Sequence, residues 1–468
     1  MTRDTSYEAV IARKRDIIKA AVGVDYSQFE SGSIAFDYEA MMRSTGYSLE
    51  DVIEIQRGFA IGNTPLIELK NITALARKLS KPGYGARIFF KDEAANPSGS
   101  FKVRRAATSI YQAKKMGYPG ALTATSGNYG AAVASCCAKS GLRCIIVQEC
   151  YDSRGVGQPE IIEKARKCEA LGAEVVQLTV GPELFYQVLR MLEDTGYFNA
   201  SLYTAFGIVG IETLGWEVAQ QCRAQIGKDP DVVVCTNAGG GNLTGTARGL
   251  IQAGCKAQIV AASVNLKGLH MASDRQFNKK SFTTGHTGFG MPFSTWPDRS
   301  DVPRSAARPL RYMDRYVTVH QGEVFYTTEL LARLEGIERG PAGNTSLAAA
   351  ISIAQELPED AVIVVQETEY TGAGKHGNAQ LSFALQNGIR ISFGDPEEEV
   401  PGESIVLPAN PGLLKARDVD IDHMRRSLIT HAASTVDHAP TVEDIRFLAE
   451  ETKSSEAFVT ETLETEQH

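Results

Sequence analysis

Four glycine-bearing turns stand where one structural pattern gives way to another. They are Asn96–Pro97–Ser98–Gly99–Ser100–Phe101–Lys102, Thr125–Ser126–Gly127–Asn128, Asn237–Ala238–Gly239–Gly240–Gly241–Asn242 and Gly340–Pro341–Ala342–Gly343–Asn344. Around them the chain alternates. Residues 86–91, 121–125, 144–149, 174–180, 231–237, 258–264 and 361–366 read as strands. Residues 101–116, 131–140, 161–173, 210–222, 246–254, 322–335 and 345–357 read as helices. This rhythm predicts an α/β protein of open parallel sheets wrapped by helices. In such sheets ligands bind beyond the strand ends, where these turns lie.

At 468 residues the chain suits two or three domains of about 150 residues each. Residues 1–57 read as a helical front extension, and 396–468 as an acidic helical extension at the other end. Between them, 58–98 and 205–395 form the expected large lobe and 99–204 the small one. Residues 266–320, rich in Gly, Pro, Ser and Thr, read as one long irregular segment, a kind that is usually functional inside a compact domain. A net charge of −8 argues against a broad polyanion-binding surface. No apolar run reaches the ~18 residues of a membrane helix, and the N-terminus lacks the apolar stretch of a signal peptide, so a cytoplasmic protein is expected. The eight cysteines form neither CxxC nor any zinc spacing and read as buried thiols, with no metal site expected.

Each turn has a plain and a chemical reading. Gly239–Gly241 follow a strand and open a helix without forming GxGxxG, so a dinucleotide site is not expected. Gly372–His376 lacks the spacing of a P-loop. Three successive glycines can be a tight turn, or can present backbone N–H groups to one phosphate at a helix N-terminus. Lys102 opens a helix, where the dipole favours the neutral amine that Schiff-base chemistry needs; a solvated lysine is the alternative. Thr125, Ser126, Gly127 and Asn128 can cap a helix or grip a carboxylate.

In this order, the four motifs resemble the pyridoxal-phosphate (PLP) enzymes of fold type II, which include tryptophan synthase β chains and threonine synthases, across roughly residues 60–375. The resemblance implies that Lys102 is the Schiff-base lysine and that Asn128 bonds the cofactor's ring hydroxyl. It implies that Gly239, Gly240, Gly241 and Asn242 cradle the phosphate, and that Thr125, Ser126 and Gly127 bind the substrate carboxylate. Thr368 falls where the family sets a hydroxyl against the pyridine nitrogen; Thr371 is the fallback, and Glu367 or Glu369 would be an acidic alternative. In length and extensions the chain is similar to the catalytic chains of two-subunit thiolases acting on 2-amino-4-oxopentanoate. That implies coenzyme A as cosubstrate, acetyl-CoA and D-alanine as products in ornithine degradation, a small separate α subunit, and a homodimer of this chain. Lys279, Lys280, Arg104 and Arg105 are candidate cations for coenzyme A phosphates. A threonine synthase, dehydratase or ammonia-lyase of the same fold is the rival reading, and a non-catalytic scaffold a more distant one.

Overall fold

Long runs of β-branched residues with few polar interruptions become strands buried on both faces. The computed structural model describes residues 3–125, 127–152, 154–157, 159–181, 183–266, 281–283, 294–298, 301–370 and 377–465. Its strands are β1 (Leu66–Glu68), β2 (Arg87–Asp92), β3 (Gly120–Thr125), β4 (Arg143–Tyr151), β5 (Glu174–Thr179), β6 (Phe198–Asn199), β7 (Val232–Thr236), β8 (Gln258–Val264), β9 (Arg315–Val319), β10 (Val362–Glu367), β11 (Arg390–Gly394), β12 (Ser404–Pro408) and β13 (Arg417–Asp418).

The larger sheet runs β1-β2-β10-β7-β8-β9-β13 and the smaller β5-β4-β3-β6. All pairs in the smaller sheet are parallel. In the larger sheet only the edge strands β1 and β13 pair antiparallel. Alternate residues of the central strands feed two cores. Val233, Cys235, Ala261 and Val364 meet one set of helices, and Val232, Val234, Val260 and Val365 meet the other. Among the described residues no helix is long and apolar enough to cross a membrane.

Three expectations change. Residues 266–320 are not wholly irregular, because Arg315–Val319 is a parallel strand against β8; residues 267–280, 284–293 and 299–300 lie outside the described set. The expected helical end segment also contains β12 and β13 before its three helices. An additional helix, Glu183–Thr195, covers the smaller sheet through Leu184, Val188, Leu189 and Leu192. The two end segments meet: Asp444 accepts from the backbone N–H groups of Ile34 (3.1 Å) and Ala35 (2.9 Å).

The helix Lys102–Lys115 packs against both Asn128–Ser140, beside the smaller sheet, and Ala205–Ile226. Its Arg104 is fully buried and bonds Glu93 (2.7 and 2.8 Å) and Glu217 (2.9 and 2.8 Å). Lys91 of β2 reaches the same Glu217 at 2.9 Å. Burial works to raise the Glu217 carboxyl, but Arg104 and Lys91 outweigh it and hold it at about 2. Breaking such a buried pair typically costs 3–5 kcal/mol, so Arg104→Met should lower unfolding stability by roughly that amount in a urea titration. Glu217 has a depressed folded value, so its contribution is complete above the unfolded value of 4.5 and is lost as pH falls toward about 2. Stability measured across that acid window should therefore vary less in Glu217→Gln.

Candidate active site

The segment before Lys102 is pinned to the chain that leaves β10. Phe101 N–H donates to the Thr368 carbonyl (3.0 Å) and Tyr370 N–H to the Gly99 carbonyl (2.8 Å). Lys102 is thereby brought beside Glu369, whose carboxylate accepts from the Asn128 amide at 2.9 Å. Lys102 and Asn128 both open helices, Lys102–Lys115 and Asn128–Ser140. Burial, then the charges of Lys164 and Arg105, lower the Lys102 amine to about 7, against the pull of Glu369 and Glu160. A neutral, nucleophilic amine is thus available near neutral pH.

Gly127 follows the end of β3, and a Cβ there would lie 3.0 Å from Lys164 Cδ. The Thr125 hydroxyl accepts from the N–H groups of Gly127 (3.0 Å) and Gly130 (3.1 Å). It therefore shapes this loop. Ser126 and Thr371 lie outside the described residues, as do Lys279 and Lys280.

Beyond β7 the three glycines each meet a different neighbour. A Cβ on Gly239 would sit 2.9 Å from the Tyr203 hydroxyl, one on Gly240 2.5 Å from Pro309 Cγ, and one on Gly241 2.0 Å from a terminal nitrogen of Arg105. Gly240 also has φ +79°, a left-handed conformation that favours glycine. The Asn242 amide donates to the Thr236 carbonyl (3.3 Å), while its Oδ1 is buried with no partner among the described residues. Thr368 is buried between two acids. Burial and then Glu369 push Glu367 well above the carboxylate range, and burial raises Glu369 as well.

Two residues that the sequence does not single out belong here. Lys164, on the helix Pro159–Ala170, pairs with Glu160 one turn earlier, and Gln380 donates to that glutamate at 3.0 Å. Their spacing in sequence is that of an ordinary surface ion pair, yet both are buried. Of the coenzyme A candidates, Arg104 is committed to Glu93 and Glu217. All eight cysteines are buried free thiols. A cavity of about 1020 Å³ lined by Ile251, Lys256, Arg311 and Lys453 lies where the end of the helix Gly241–Gln252 meets the helix Val442–Glu451.

Residues 58–369 match the family described as "Pyridoxal-phosphate dependent enzyme". The chain is 69% identical over 464 residues to the 2-amino-4-ketopentanoate thiolase beta subunit of Acetoanaerobium sticklandii, covering 99% of each. It is 66% identical over 466 residues to a protein of the same description from an unknown prokaryotic organism, covering 99% of this chain and 98% of that one. Among solved structures, maize serine racemase superposes with a TM-score of 0.54 at 22% identity, covering 73% of this chain and 98% of that one, a likeness of fold.

The charges around Lys102 make a testable statement. Removing a neighbouring cation favours the protonated amine. In Lys164→Met, the midpoint for labelling Lys102 with an amine-reactive probe should rise from about 7 toward the ordinary lysine value of 10.5. Peptide mass spectrometry of cofactor-free protein across pH reads this; an unmoved or lowered midpoint would count against the arrangement.

Proposed function

The chain belongs to the pyridoxal-phosphate-dependent enzymes, and we propose that it is the catalytic β subunit of a thiolase that splits 2-amino-4-oxopentanoate with coenzyme A. The observation that carries this reading is where the kinship extends. The family match stops at residues 58–369, whereas the likeness to the thiolase β subunits continues through both end segments. A general fold type II enzyme need not share those segments.

The residues fit the cofactor. The buried amine of Lys102, the Asn128 amide and the Gly239–Asn242 cradle supply the aldehyde-capturing, hydroxyl-binding and phosphate-binding groups, and the run Glu367–Thr368–Glu369 supplies partners for the ring nitrogen, with Thr368 our choice. When bound, PLP supplies an electron sink for a carbanion beside its amine-linked carbon. Lys102 is the base for the Cα proton, its lowered pKa matching that task. Thr125, Ser126 and Gly127 bind the substrate carboxylate, with the Thr125 hydroxyl also shaping their loop and Lys164 adding positive charge beside Gly127. The coenzyme A thiol gives up its proton as its sulfur forms a bond to the C4 carbonyl carbon, the C3–C4 bond breaks with its electron pair left on C3, C3 takes a proton to become a methyl group, and a proton returned to Cα completes D-alanine. The protein's own thiols are suited to packing: burial pushes Cys150 and Cys168, for example, up to about 12.

The relatives are named β subunits. We assign to this chain a small α subunit as partner, a homodimeric core and a cytoplasmic location, where coenzyme A is present.

The test uses the chain purified with its α subunit. Acetyl-CoA should form from 2-amino-4-oxopentanoate only when coenzyme A is present. Lys102→Ala should lose the visible cofactor band and reduce the rate by about 10²–10⁴-fold or more. Rapid keto-acid formation from serine or threonine, with no thiol required, would instead identify an elimination enzyme.

A further inference from the structure

Arg105 lies one residue beyond the fully paired Arg104, yet its situation is the reverse. It is 3% exposed. No carboxylate forms an ion pair with it among the described residues, and its Nε and Nη2 have no hydrogen-bond partner there. The Tyr129 ring, 5.6 Å from the guanidinium carbon, is the cation–π neighbour. Such a contact is weak beside the cost of burying a charge without a counter-ion.

The direction in which Arg105 points suggests what resolves that cost. Its Nη2 rests against Gly241, the first residue of the 12-residue helix Gly241–Gln252. The backbone N–H groups opening that helix have no side-chain cap. A helix N-terminus and a buried guanidinium, two of whose nitrogens have no partner among the described residues, therefore converge on the three-glycine turn, and both attract an anion.

We propose that Arg105 is the counter-charge for the phosphate monoester bound in the Gly239–Gly241 cradle, and that this phosphate is that of PLP. The proposal rests on the PLP reading above. Coenzyme A also carries phosphates, but Arg105 is buried and stands three residues from Lys102 on one helix, the neighbourhood of a phosphate fixed to the same small molecule as the aldehyde. Arg105 is thus a positioning residue for the cofactor. Arg104, its neighbour, is structural.

Cofactor-stripped protein is titrated with PLP and, separately, with pyridoxal, which lacks the phosphate, following the visible band formed with Lys102. In Arg105→Gln the dissociation constant for PLP should rise about tenfold to a hundredfold, from the worth of hydrogen bonds to a charged group. Affinity for pyridoxal should stay unchanged, and Arg105→Lys should recover part of the preference. Two further readings separate this role from a structural one. Cofactor-free Arg105→Met should melt no lower than the wild type, since it loses only an unpaired buried charge. Inorganic phosphate should raise the melting temperature of the wild type but not of that variant. An unchanged PLP-to-pyridoxal ratio in Arg105→Gln would overturn the proposal, as would a selective rise in KM for coenzyme A or a phosphate effect that survives in Arg105→Met. A wild type that forms no band with either aldehyde would defeat the PLP reading itself.

Discussion

Arg104 fixes the start of the lysine helix, and the arrangement of the site follows from that. Its guanidinium bridges Glu93, just after β2, and Glu217 of the long helix Ala205–Ile226, with Lys91 completing the network. Four charges removed from water are costly unless the geometry is good and the remaining lone pairs are used. Here Thr64 donates to Glu93 at 2.5 Å, Thr213 accepts from Arg104 at 3.1 Å, and the Thr64 carbonyl accepts from Lys91 at 2.7 Å. With Arg104 locked on one side of the helix, Lys102 and Arg105 are turned to another.

Cationic side chains gather inside this acidic chain around Lys102 and the three-glycine turn. The net charge of −8 is spread over the whole sequence, but Lys102, Arg105 and Lys164 are close enough for the latter two to depress the Lys102 amine. Glu160 and Glu369 face Lys164 and offset part of this positive charge. Among the described residues Arg105 receives no such compensation. The residual positive charge therefore lies deep inside the protein at the glycine cradle, where screening by salt is weak. The overall charge says little about such a site.

Much of this was legible in the sequence because it depends on local patterns. Val232–Thr236, Gln258–Val264 and Val362–Glu367 are strands for the β-branched content that marks them. The glycine turns mark strand ends because backbone must approach closely there. What was not legible depends on tertiary direction. Arg104 and Arg105 are identical letters, but successive helical residues point about 100° apart, and only packing decides which one meets the carboxylates. Glu160 and Lys164 look like a solvated pair until the helix is docked. The strand Arg315–Val319 is short and follows a stretch of irregular composition, so its pairing with β8 gives the stronger signal. The helix Glu183–Thr195 is a different case: its apolar positions recur at helical spacing, a signal present in the sequence without any tertiary information.

The separation between the Lys102 amine and the three-glycine turn is set by a third element, the helix Ala205–Ile226. On one side, a Cβ on its Gly210 would lie 2.5 Å from the Arg104 carbonyl oxygen, so this helix lies directly on the lysine helix. On the other side, a Cβ on Gly215 would lie 2.0 Å from the Thr246 carbonyl oxygen, and one on Gly249 of the cradle helix 1.8 Å from that of Glu212. Both contacts are backbone against backbone, with no flexible side chain to yield, and packed interiors relax only partly around added volume. The lysine helix and the cradle helix are therefore spaced from one rigid bar at the closest approach that glycine permits. A ligand that must reach both Lys102 and Gly239–Gly241 meets a fixed span, while the Glu93–Arg104–Glu217 network prevents the lysine end from rotating. Backbone contact sets the distance and buried charge sets the orientation. Arg105, on the lysine helix, is left facing the three-glycine turn with its Nε and Nη2 unpartnered among the described residues.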